Sequence, residues 1–138
     1  MNVLIDTTIW SLALRRQEQK PKDQVLINEL SELIEEMRAE IIGPIRQELL
    51  SGIAETPKFK TVKQHLQAFD DLPITSVDYE EAARLFNVCR KKGVQGSHVD
   101  FLICAVAIRL SIPIFTTDKD FANYSKHLKL KLHTPRIE

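Results

Sequence analysis

Four acidic residues are the side chains of this sequence best placed to do chemistry together. Asp6 directly follows the strand-like segment Val3-Leu4-Ile5, and Asp118 follows the last strand-like segment of the chain. Glu48 lies one turn into a short predicted helix, and Asp100 lies in the first turn of a long apolar helix. Parallel α/β sheets build their sites beyond the carboxyl ends of their strands, so we expect all four acids to converge at one edge.

A group of four carboxylates requires bound cations. Two carboxylates about 4 Å apart repel each other by roughly 1 to 4 kcal/mol at effective dielectric constants of 80 down to 20. Oxygen ligands without accompanying Cys or His favour Mg²⁺ or Mn²⁺ over Zn²⁺. Such ions polarise a phosphodiester, lower the pKa of bound water and stabilise the leaving oxygen. The pattern therefore predicts a metal-dependent hydrolytic site.

Each acid also has a purely structural interpretation when it is considered alone. Asp6 could cap the helix that follows it, and Asp118 could stabilise a turn through its own backbone. Asp100 could complete a capping arrangement with Ser97, and Glu48 could be a solvated helix residue. The metal-site hypothesis rests on the four acids lying together.

The elements that must position these acids alternate between strands and helices. Strand-like apolar runs occupy 3–5, 41–42, 74–77 and 113–116, and a weaker edge strand is expected within 129–138. Helices are expected over 23–40, 44–52, 57–69, 79–92 and 97–110, with 15–23 as a polar connection between helices. This alternation is typical of an α/β fold with a mainly parallel sheet.

Size and composition restrict the protein to one ordinary globular domain. The 138 residues suffice for a single core, and 43% hydrophobic with 28% charged residues excludes a disordered chain. Nineteen basic residues balance nineteen acidic ones, which argues against a general DNA-coating protein. No apolar run approaches the roughly 20 residues of a membrane helix, and no export signal is visible. Cys89 and Cys104 are interpreted as buried free thiols, which agrees with a cytoplasmic location.

Four short motifs resemble the acidic motifs of PIN-domain ribonucleases. They are Asp6-Thr7-Thr8-Ile9-Trp10, Glu48-Leu49-Leu50-Ser51-Gly52, Asp100 before an Ile/Ala-rich helix, and Thr116-Thr117-Asp118-Lys119-Asp120-Phe121. The resemblance spans almost the whole chain and is closest to VapC, the toxin of bacterial and archaeal toxin-antitoxin pairs. It implies a three-layer α/β/α sandwich with a mainly parallel central sheet of four or five strands, formed by one domain over residues 1–138.

The resemblance also implies the roles of individual residues. It makes four acids ligands of Mg²⁺ or Mn²⁺, directly or through water: Asp6, Glu48, Asp100 and Asp118. Asp120 would support a second ion or position water, or else cap the short helix that follows it. Thr7 and Thr116 would orient carboxylates or a phosphate by hydrogen bonds, although β-branched residues are also ordinary near strand ends.

The implied reaction is endonucleolytic hydrolysis of RNA by metal-activated water, without a covalent enzyme intermediate. A toxin of this kind would have a VapB-like antitoxin that covers the acidic cleft and inserts a basic side chain among the carboxylates. The apolar faces of the early helices could serve an antitoxin groove or a homodimer, but core packing is the favoured interpretation. Those faces include Trp10, Leu12, Leu14, Leu26 and Leu30.

Three other functions are consistent with parts of the pattern. An RNA-processing PIN nuclease without an antitoxin would carry the same motifs. A non-catalytic binding module on this fold would tolerate the loss of acids, yet none of the expected acids is missing. A receiver domain of a signalling system would require paired acids after the first strand, whereas Asp6 is followed by Thr7 and Thr8.

Overall fold

A computed structural model describes residues 1–15 and 20–136 of the protein, and within these ranges the chain forms three strands and seven helices. The strands are β1 (Val3–Ile5), β2 (Ala39–Glu40) and β3 (Ile114–Phe115). The helices are α1 (Thr7–Leu14), α2 (Pro21–Glu35), α3 (Gly43–Leu50), α4 (Thr56–Leu66), α5 (Ser76–Lys91), α6 (His98–Leu110) and α7 (Asp120–Ser125). Residues 16–19 of the expected polar connection and the final two residues of the expected edge strand lie outside the described ranges.

The sheet is parallel throughout, with the strand order β2-β1-β3. β1 lies in the centre, as its fully buried Val-Leu-Ile sequence requires. The sheet is extended by one parallel bridge at each edge, from Ile41 to Asp71 and from Ile114 to Leu132. The expected parallel α/β fold is therefore confirmed, with three strands and a single bridge at each edge where four or five strands were expected.

The strand expected over 74–77 is wrong. Ser76 and Val77 begin α5, because the Thr75 backbone N–H bonds to the carboxylate of Asp78 at 3.1 Å and starts the helix there. The sheet position next to Ile41 is taken by Asp71 instead. The capping motif at Thr75 and Asp78 therefore determines the local structure here, and the short apolar run does not form a strand.

The helix expected over 23–40 is wrong at both ends. α2 begins at Pro21, and it ends at Glu35 because Met37 adopts a left-handed φ of 58°. The Arg38 N–H then bonds back to the Leu33 carbonyl at 2.8 Å and directs the chain into β2. β2 therefore precedes the expected strand at 41–42 by two residues.

α6 is the central helix of the fold, as its apolar sequence predicts. Its residues from Phe101 to Ala107 are all buried, and α6 packs along α5. Cys104 on α6 and Cys89 on α5 are buried free thiols, as expected, and burial raises the pKa of both. Within residues 1–15 and 20–136, no helix combines the length and apolar character needed to cross a membrane.

The apolar residues of α1 and α2 serve mainly as core. Trp10, Leu12 and Leu30 are buried, and Leu14 and Leu26 pack partly buried against the same core. The favoured interpretation of these faces is confirmed, and homodimer formation stays a prediction.

Two buried acids outside the cluster of predicted ligands are neutralised by bases. Asp78 accepts from Arg109 Nε at 2.7 Å, and Glu29 accepts from Arg136 Nε at 3.0 Å and lies 2.6 Å from His133 Nε2. The hydrogen bond from Arg109 lowers the pKa of Asp78 despite the opposing effect of burial. Asp78 and Glu29 therefore each have an arginine that balances the charge of a buried carboxylate.

We expect Arg109→Ala to destabilise the protein in a pH-dependent way. A lowered folded-state pKa contributes stability that is present above the unfolded-state value of Asp78, near 3.8, and is lost as the pH falls. The variant should lose about 1 to 2 kcal/mol of unfolding free energy at pH 7, because a buried acceptor loses its partner, and less near pH 3. Urea denaturation at pH 7 and near pH 3 measures the loss of unfolding free energy. Arg84→Ala, which removes an exposed pair with Glu81, is the control, and equal losses at both pH values would contradict the assignment.

Candidate metal centre

Asp6 lies at the end of β1 and is only 4% exposed. It occupies the N-cap position of α1, yet its side chain makes no capping hydrogen bond. Its Oδ2 accepts instead from Thr8 Oγ1 at 3.0 Å and from Thr116 Oγ1 at 2.7 Å. The carboxylate is therefore held by two hydroxyls, one of which comes from the residue after β3.

Glu48 lies on α3, whose buried Ile45 and Leu49 fix the helix against the core. Thr7 Oγ1 donates to Glu48 Oε1 at 2.8 Å, so the first turn of α1 orients this carboxylate. Partial shielding from water raises the pKa of Glu48, and the charges of Asp6 and Asp100 raise it further. Although Glu48 is exposed, it is part of a group of interacting acids.

Asp118 follows β3 in a tight turn. Its N–H donates to Thr116 Oγ1 at 2.9 Å, and its Oδ1 accepts from the Asp120 N–H at 2.9 Å. The structural interpretation of Asp118, a turn stabilised through its own backbone, is therefore correct. The same turn brings Asp118 and Asp120 side by side, with Thr116 contacting both Asp6 and Asp118.

Asp100 lies in the first turn of α6. Its N–H donates to Ser97 Oγ at 3.1 Å, which is one half of the expected capping arrangement. Its Oδ2 accepts from the hydroxyl of Tyr124 at 2.6 Å. Burial raises the pKa of Asp100, as do the nearby charges of Asp118 and Asp6, although the hydrogen bonds oppose this.

The structure brings all the predicted acids to one end of the parallel sheet. Asp100, Asp118 and Asp120 each place one carboxylate oxygen within 4.8 Å of the others. The charges of Asp6 and Asp100 act on Glu48, and the charge of Asp6 acts on Asp100, so Asp6 and Glu48 belong to the same group. We call these five residues the carboxylate cluster.

The carboxylate cluster lacks a cationic partner among residues 1–15 and 20–136, where no Lys, Arg or His forms an ion pair with any of its members. This contrasts with Asp78 and Glu29, which are paired with arginines. Carboxylate oxygens held by hydroxyl groups, with negative charge left to be balanced, fit a hard divalent cation such as Mg²⁺ or Mn²⁺.

A cavity of about 640 Å³, lined by polar side chains and by Leu12 and Leu26, adjoins the cluster. Thr7 and Thr8, which donate to Glu48 and Asp6, form part of its wall. The remaining polar lining consists of Ser11, Thr117, Lys20, Lys22 and Asp23. The cavity thus offers hydroxyl and ammonium groups, and the one carboxylate of Asp23, beside the cluster.

Sequence reasoning missed Tyr124 as a component of the site. Its side chain is fully buried, and burial, followed by the hydrogen bond with Asp100 and the charge of Asp100, raises the pKa of its hydroxyl well above the ordinary range. An aromatic residue three positions after Phe121 has the spacing of ordinary helical core. The sequence therefore contained no signal that a hydroxyl at this position reaches Asp100.

Residues 3–127 match the family model of the PIN domain. Curated proteins give no match. The fold is similar to that of FitAcB from Neisseria gonorrhoeae, with a TM-score of 0.75 and 20% identity over 96% of this chain and 97% of that chain.

Two further solved structures share the fold. VapBC2 from Rickettsia felis, bound to a DNA fragment from its promoter, has a TM-score of 0.74 and 16% identity over 96% of this chain and 98% of that chain. VapBC-1 from nontypeable Haemophilus influenzae has a TM-score of 0.72 and 15% identity over 96% of this chain and 97% of that chain. Since the family model also spans residues 3–127 of 138, the chain belongs to the PIN-domain family.

Proposed function

We propose that this protein is a metal-dependent endoribonuclease that hydrolyses RNA phosphodiester bonds with activated water. Asp6, Glu48, Asp100 and Asp118 would hold Mg²⁺ or Mn²⁺, and Asp120 would support a second ion or position water. The observation that carries the proposal is the carboxylate cluster without a cationic partner in the described ranges. Membership of the PIN family, whose domains are generally nucleases, supports it.

The chain's own residues would prepare this site by fixing its oxygens before substrate arrives. A bound divalent ion supplies a polarising charge and an acidified water molecule. Thr8 and Thr116 hold Asp6, and Thr7 holds Glu48, so these carboxylates need little reorganisation. Asp120 is exposed beside Asp118 and is therefore accessible to water and substrate.

The cavity beside the cluster supports the proposal that the substrate is a nucleic acid. A protein with no net charge must bind a polyanion through local cationic groups. Lys20 and Lys22 supply two ammonium groups, and the hydroxyls of Thr7, Ser11 and Thr117 can donate to phosphate oxygens. We propose that the RNA backbone on one side of the scissile bond lies in this cavity.

We further propose that the protein is the toxin of a VapBC-type pair and is held inactive by a small VapB-like antitoxin. A basic side chain inserted among the carboxylates would relieve their repulsion, and the unbalanced charge of the cluster favours such a partner. The solved structures named VapBC and FitAcB share the fold over nearly their full chains, which is consistent with this assignment. An RNA-processing nuclease without an antitoxin is the alternative.

The nuclease proposal is tested by incubating the purified protein with a mixed pool of cellular RNAs in Mg²⁺, Mn²⁺ or chelator. We expect discrete cuts with at least one of the two ions and none with chelator. Asp70→Asn, which changes an exposed acid outside the cluster, should cleave like the original protein. Absence of cuts in either ion by folded protein would instead favour a non-catalytic binding module.

The antitoxin proposal needs a separate experiment in living cells. Expression of a toxin should arrest growth, and co-expression of the small gene beside it should restore growth and yield a stable complex. Metal-dependent cleavage in vitro without growth arrest or a complex would favour the RNA-processing nuclease.

A further inference from the structure

Tyr124 carries a hydroxyl group that core packing does not require. The side chain is fully buried, and its ring contacts Phe101 and Phe121 with centroid distances of 4.8 and 5.3 Å. A phenylalanine would make the same ring contacts. The hydroxyl donates to Asp100 Oδ2 at 2.6 Å, which is a short, charge-assisted hydrogen bond.

Gly96 makes room for this hydroxyl. A Cβ atom built on Gly96 would lie 2.1 Å from the Tyr124 oxygen and 2.7 Å from Cζ, far inside van der Waals contact. The tyrosine ring is enclosed by other aromatic rings, so it cannot move aside cheaply. Close approach, and not a left-handed backbone, is therefore the reason for glycine at this position.

The backbone around Asp100 is fixed by the residue next to Gly96. Ser97 caps α6 and accepts from the Asp100 N–H at 3.1 Å. One dipeptide thus anchors the start of α6 through Ser97 and leaves the space for the Tyr124 hydroxyl through Gly96. Both contacts act on the same acid, one on its backbone and one on its side chain.

We infer that Tyr124, seated against Gly96, is a positioning residue that sets the orientation of the Asp100 carboxylate for metal binding. The inference rests on the proposed metal site. By occupying Oδ2, the hydroxyl limits rotation of the carboxylate and leaves Oδ1 without this donor. Hydrogen-bond partners of metal ligands orient those ligands, and their loss typically costs about 10- to 100-fold in metal affinity or activity.

The test is Mn²⁺ titration of Tyr124→Phe by isothermal calorimetry, well below the melting temperature. We expect the Kd for Mn²⁺ to increase about 10-fold. In RNA cleavage, kcat should fall while KM stays close to the original value, since the hydroxyl is buried away from the RNA. Tyr79→Phe removes the hydroxyl of an exposed tyrosine and should leave the Kd unchanged.

Gly96→Ala tests the same contact from its other side and keeps the tyrosine. It should also weaken Mn²⁺ binding, and combining it with Tyr124→Phe should add less than the two separate effects, because both disturb one contact. Equal Mn²⁺ affinity in Tyr124→Phe and the original protein would overturn the inference and leave the metal site intact. Absence of Mn²⁺ binding by the original protein would instead refute the proposed function.

Discussion

Asp6→Asn is expected to abolish RNA cleavage while making the metal-free protein more stable. Loss of a proposed metal ligand should remove several kcal/mol of charge stabilisation, which corresponds to a rate reduction of about 10²- to 10⁴-fold. The charge of Asp6 also disfavours the charged forms of Glu48 and Asp100. Removing it should raise the unfolding free energy by about 1 kcal/mol, the lower end of the repulsion between close carboxylates.

The substitution is suited to this test because asparagine keeps the local hydrogen bonds. Its Oδ1 can accept from Thr8 and Thr116 as the carboxylate does. Urea denaturation in chelator measures stability, and cleavage in Mn²⁺ measures activity.

The matched control for stability is Glu29→Gln, which makes the same type of change at a buried acid paired with Arg136 and His133. That variant should lose stability, because Arg136 would lose the anionic partner of its ion pair. If Asp6→Asn were destabilised like Glu29→Gln, the carboxylate cluster would not be the repulsive group described above.

The positions of the acids could be predicted because the strands that carry them have strong local patterns. β1 is a continuous buried apolar segment, and β3 is flanked by Pro113 and by the Asp118 turn. Given two parallel strands and the apolar helix α6, their ends must meet at one edge of the sheet. The convergence of Asp6, Asp100 and Asp118 follows from this geometry.

The edges of the sheet could not be predicted in the same way. β2 has two residues, and the bridges at Asp71 and Leu132 involve one residue each. Such short pairings are determined by neighbouring strands and not by local propensity. The left-handed Met37 ends α2 early although methionine is a good helix former, so the actual boundary depends on the packing of the following strand.

The contact between Gly96, Tyr124 and Asp100 could not be predicted from the sequence for a different reason. Asp100 and Tyr124 are 24 residues apart in sequence, and their hydrogen bond depends on how α7 returns to the start of α6. Gly96 has no left-handed φ and follows no turn motif, so only its closeness to Tyr124 explains it. A hydrogen bond between residues so far apart in sequence leaves no periodic pattern in either segment.

Divalent metal ions are expected to stabilise the protein strongly at neutral pH and weakly in acid. A ligand at 100 times its Kd stabilises the folded state by about 2.7 kcal/mol, which for a domain of this size corresponds to roughly 10 °C in Tm. Burial and neighbouring charges raise the pKa of Glu48 and Asp100 above their ordinary values of 4.5 and 3.8. Protons therefore compete with the ion at a higher pH than they would at carboxylates with ordinary pKa values.

Without metal, the stability of the folded protein changes with pH in the opposite direction. A raised folded-state pKa contributes stability that is fully present below the unfolded value and is lost as the pH rises through the folded value. The cluster thus destabilises the metal-free protein most at neutral pH, where the ion stabilises it most. Thermal unfolding with Mn²⁺ or chelator between pH 4 and 8 measures both effects, with the difference in Tm increasing toward pH 8.

Asp118→Asn is the matched variant for this experiment. Its Oδ1 can still accept from the Asp120 N–H, so the turn after β3 is retained while one ligand charge is lost. We expect most of the Mn²⁺-dependent increase in Tm to disappear in this variant at every pH. An undiminished increase would mean that the ion binds outside the carboxylate cluster, and the cleavage mechanism proposed for these residues would fail with it.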